Sequence, residues 1–60
     1  MAEESTRRLL KAFGIAVTNF EDAVAAVQAD AARKAEAELR EPLRELIALV
    51  ERLSERAKKL

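Results

Sequence analysis

Nucleophilic or proton-transfer chemistry in this sequence would have to come from the hydroxyls of Ser5, Thr6, Thr18 and Ser54, the lysines and the carboxylates, because His, Cys and Tyr are absent. The same absence removes zinc, haem and iron-sulfur centres, which lean on Cys or His ligands. A hard cation held by carboxylates is the one metal chemistry left, and Glu36, Glu38, Glu41 and Glu45 are its densest candidates. Arg40 and Arg44 lie among them at helical spacing, with Glu36–Arg40 as an i, i+4 pair, so a solvated, salt-bridged face accounts for them better. An Asp-rich loop with a central Gly, as an EF-hand requires, does not occur.

Nucleic acid is the next class to weigh. Eleven basic residues are balanced by eleven acidic ones, and a phosphate-neutralising binder needs a clear positive excess. Arg52, Arg56, Lys58 and Lys59 concentrate positive charge near residue 60, but Glu51 and Glu55 dilute it and the end of a helix favours cations anyway. Arg7, Arg8 and Lys11 form a similar small group. No membrane span is expected, since the least charged stretch, 12–32, contains Glu21, Asp22 and Asp30. A secretory signal is not expected either, because the uninterrupted apolar run covers only 12–17. The sequence-level expectation is a cytoplasmic protein with no cofactor, no metal and no small-molecule substrate.

Whatever these side chains do, helices must position them. Ala, Leu, Glu, Lys and Arg make up 41 of the 60 residues, a bias that signals long helices or coiled coil. The fold class read from this is all-α, with residues 1–60 as one helical domain. Enclosing a catalytic site takes a concavity of about 300 Å³ or more, which a single helical hairpin does not provide. An enzyme is therefore not expected.

The apolar spacing is the strongest signal. Leu10, Phe13, Val17, Phe20, Val24, Val27 and Ala31 follow one another at alternating intervals of three and four, a heptad seam. Leu39, Leu43, Leu46, Val50, Leu53, Ala57 and Leu60 repeat it. Leu9, Ala16 and Ala23 lie beside the first seam as small neighbours. Ile47 and Leu49 flank the second, widening its apolar arc beyond the need of one partner helix.

The few helix breakers set the expected boundaries. Ser5 or Thr6 is the expected cap of a first helix starting near residue 4. Gly14 and Asn19 interrupt its propensity, but the seam keeps phase through them, so the helix is read as continuous. Pro42 is the strongest punctuation, which predicts helix 1 over about 4–40 and helix 2 over about 42–58. A kinked continuous helix at Pro42 is its close rival, and a reversal at Asp30 to Lys34 is the remaining arrangement.

A core this short usually needs a disulfide, a metal or a partner, and the first two are excluded by composition. The chain has the size and pattern of small dimeric four-helix-bundle proteins. It reads as a non-enzymatic interaction protein, a hairpin that self-associates into a four-helix bundle. The interface is expected at Leu10, Phe13, Val17, Phe20, Val24, Val27, Leu39, Leu43, Leu46, Ile47, Leu49, Val50 and Leu53. The alternative is an accessory subunit docking its apolar face on a larger enzyme or regulator.

Overall fold

The computed structural model describes residues 3–60 and contains two helices packed against each other, α1 (Glu4–Ala25) and α2 (Ala29–Lys58). Their 22 and 30 residues form a rod with extents of 47 × 18 × 14 Å. A connection of only three residues makes the helices antiparallel neighbours.

α1 begins after Glu3, whose extended backbone occupies the cap position without a side-chain bond to the first turn. The expected hydroxyl cap is not used. Ser5 and Thr6 are already helical, and the Ser5 hydroxyl donates to a Glu3 carboxylate oxygen at 3.4 Å. The helix then passes through Gly14 and Asn19 unbroken, as its apolar phase requires. Thr18 Oγ1 donates to the Gly14 carbonyl at 2.8 Å, which gives this weak helix former a local partner.

The reversal lies at Ala26–Gln28, neither at Pro42 nor at Asp30 to Lys34. The expected ranges of 4–40 and 42–58 are thereby corrected. Packing explains the difference. Two arms meeting at Pro42 would face more than half of the first helix with nothing, whereas a turn at residues 26–28 puts apolar columns on both helices opposite each other along the length of α1. Pro42 is accommodated inside α2, half-buried, with the Glu38 carbonyl deprived of its usual intrahelical donor.

The turn itself is a Schellman motif without the glycine that favours it. The Val27 amide donates to the Val24 carbonyl at 3.0 Å, and the Gln28 amide reaches the Ala23 carbonyl at 3.1 Å. Val27 stands between them with φ of 56°, a left-handed conformation that is costly for a β-branched residue. Its side chain is 89% exposed, so Val27 belongs to the tip of the turn and not to a seam.

Candidate protein-docking surface

The inner column of α1 is Thr6, Leu9, Phe13, Ala16, Phe20 and Ala23, all half-buried. On α2 it is Ala32, Ala35, Leu39, Pro42, Leu46 and Leu49, all half-buried except Ala35, which is enclosed at 8% exposure. Both columns alternate intervals of three and four. Positions equidistant from the Val27–Gln28 bond share a level, so Phe20 stands level with Ala35, Ala16 with Leu39 and Leu9 with Leu46. Large residues meet small ones through the middle of the hairpin, which brings the helices close.

This column is displaced from the expected seams by one residue. Of the expected interface residues, Phe13, Phe20, Leu39, Leu46 and Leu49 lie on it. Leu9, Ala16 and Ala23, expected beside the seam, are in it, while Leu10, Val17 and Val24 occupy the neighbouring stripe. Thr6, Ala32, Ala35 and Pro42 join them. Their signal was present in the three-four spacing, but small or polar side chains carry little weight in a count of large apolar residues.

The two flanks of the hairpin differ sharply. Antiparallel helices are related by a two-fold axis normal to the hairpin plane, so equivalent heptad positions appear on the same side. On one side, open troughs run between Ser5, Leu9 and Ala12 of α1 and Glu45 of α2, and between Ala16, Asn19 and Glu38. This flank is mostly polar, with Ile15, 54% exposed, beside the second trough as its one large exposed apolar residue. The other carries Leu10, Val17 and Val24 from α1 and Glu36, Leu43 and Val50 from α2, with Ile47 beside them.

Nearly every member of that second flank is apolar, and most are open to solvent. Leu10 is 52% exposed, Ile47 52% and Val50 60%, with Val24 and Leu43 also exposed and Val17 half-buried. Glu36 is the charged member of the stripe, held by the Arg40 guanidinium at 3.2 Å on the next turn, and Arg33 and Arg40 lie beside it at the positions that continue Ile47 towards the turn. Leu53 continues the inner column of α2 past the level of Glu3 and is 52% exposed there. The expected interface thus separates into an inner column, an open flank, an overhanging Leu53 and the turn residue Val27.

The side chains with chemical potential are dispersed. Glu36 faces the apolar flank and Glu38 and Glu45 the polar one, while Glu41 is exposed elsewhere. Among the described residues no group of three or more metal-ligating side chains converges, and no polar or charged residue is buried. At the far end of α2, Lys58 pairs with Glu55 at 3.4 Å, which further dilutes the basic cluster. Among the described residues no helix is long and apolar enough to cross a membrane.

What the arrangement offers is shape and apolar surface, displayed mainly on one side of a pair of antiparallel helices. No protein-family model, no curated protein and no solved structure matches the chain.

Proposed function

We propose that the protein is a non-enzymatic helical interaction module that pairs with a second copy of itself through the apolar flank, forming a four-helix bundle. The observation that carries this reading is the contiguous exposed stripe of Leu10, Val24, Leu43, Ile47 and Val50 on one flank, against a lone exposed large apolar residue, Ile15, on the other. Exposed apolar residues scattered singly need no explanation, but a contiguous stripe rimmed by polar side chains marks an interaction site.

Surface area supports a partner of matching size. The accessible surface is 5239 Å², whereas a folded monomer of 6.7 kDa is expected to show about 3,900 Å². The excess, about 1,300 Å² per chain, lies within what a specific or obligate dimer removes from each partner, about 800 Å² and upward. A second copy also faces no electrostatic barrier, since the chain carries no net charge.

Sedimentation equilibrium of the purified chain, combined with circular dichroism on dilution, tests the proposal. A mass of twice 6.7 kDa, with helicity that falls on dilution, is expected. A fully helical monomer at micromolar concentration would refute self-association and leave the flank to a different protein.

A further inference from the structure

Resting on that reading of the flank, we infer that the second copy docks with its turn at the same end, so that α1 of each copy lies over α2 of the other. The inference comes from how the apolar and charged residues are distributed along the flank. Its apolar residues crowd the end away from the turn, where Leu10 stands at a level between Leu43 and Val50, while towards the turn α2 contributes Glu36, Arg40 and Arg33.

A two-fold axis parallel to the helices preserves level and exchanges α1 for α2. Leu10 then enters the gap between Leu43 and Val50 of the second copy, and its counterpart does the same. Near the turn, Glu21 on the outer edge of α1 comes level with Arg33 on the outer edge of α2 of the second copy. These opposite charges complement one another twice per dimer. Lys11 and Arg44 also share a level, an unfavourable pair, but both are exposed at the outer rim where solvent screens them.

The alternative two-fold, with turns at opposite ends, stacks α2 on α2. Full overlap then places Arg40 near its own copy and sets Val50 and Ile47 against Glu36 and Arg33. The same-end arrangement also sets Glu36 between Val17 and Val24 and Arg7 beside Ile47, but it gains the two Glu21–Arg33 pairings, whereas the opposite-end one brings the two Arg40 side chains together without them, so specificity favours the same-end arrangement.

A spin label on Val27→Cys discriminates the two. The chain has no other cysteine, and Val27 lies at the exposed tip of the turn, away from both flanks. In the same-end dimer the two labels fall within about 30 Å, the packing distance of two helices plus the label arms. Opposite ends separate them by about 38 Å before the label arms are added, twice the rise from the turn to Arg40. A long distance in a dimeric sample overturns the inference and leaves self-association standing, whereas a monomeric mass without dipolar coupling overturns both. Independently, Glu21→Arg should weaken dimerisation by about tenfold, and Arg33→Glu in the same chain should restore it. A dimer indifferent to Glu21→Arg also counts against the same-end arrangement.

Discussion

The Gln28 amide donates to the Ala23 carbonyl at 3.1 Å, spanning a Val27 held in the left-handed region. The two amide bonds of this motif close the end of α1, and they hold a β-branched residue where glycine is ordinarily required. Val27→Gly should therefore raise stability by about 1 kcal/mol, the relief of the left-handed penalty less the added freedom of the unfolded chain. A thermal melt at fixed protein concentration would show this as a rise of about 4–8 °C. An unchanged or lower melting temperature would mean that the strain is not borne by Val27.

Pro42 offers a second check on the helix boundaries. Because it sits in the interior of α2, Pro42→Ala restores a donor to the Glu38 carbonyl and removes an unfavourable ring. Loss of part of the half-buried ring offsets some of this gain, leaving an expected stabilisation of about 1–2 kcal/mol. Chemical denaturation measures it. Were Pro42 instead at the first turn of a separate helix, the substitution would leave stability nearly unchanged.

Gly14→Ala tests the middle of α1. The new Cβ meets nothing within 4 Å in the hairpin, so the gain in helix propensity, about 1 kcal/mol, should appear as a higher urea midpoint. A lower midpoint would reveal something packed closely over Gly14.

The difference between flanks predicts a contrast between two acidic substitutions. Val50→Asp, on the apolar flank, should dissociate the dimer, because an unpaired buried charge costs several kcal/mol. Ala12→Asp, on the polar flank, should leave the mass as it is. Neither residue belongs to the inner column, and circular dichroism at one fixed concentration should show Val50→Asp losing helicity together with the dimer while Ala12→Asp keeps both. Equal sedimentation of the two would remove the distinction between the flanks.

Much of this fold is legible in the sequence, and the exceptions have physical causes. Composition and heptad spacing identify two helices with wide apolar stripes. The position of the turn is hidden because Ala26, Val27 and Gln28 carry no turn signature; the left-handed residue is a valine, and backbone hydrogen bonding with tertiary packing overrides its preference. Pro42 misleads in the opposite direction, since a residue that ordinarily ends a helix is retained inside one beside Leu39, Leu46 and Leu49. The seam appears one residue out of place because the columns that meet within the hairpin contain Ala16, Ala23, Ala32 and Ala35, while the larger Leu10, Val17, Leu43 and Val50 remain outside. Phe13, Phe20, Leu39 and Leu46 still mark the inner contact, but at the alanine positions between them a count of large residues shifts to the neighbouring stripe.

The contrast between a polar and an apolar flank also governs how far assembly proceeds. A surface that meets its own copy across a two-fold axis is used up by the encounter, and each hairpin then turns Ser5, Asn19, Glu38 and Glu45 outward. In the proposed dimer Ile15 is the one large apolar group left on that outward flank, too little to recruit a third chain. Such pairing closes at two subunits, so raising the protein concentration should saturate it instead of growing filaments.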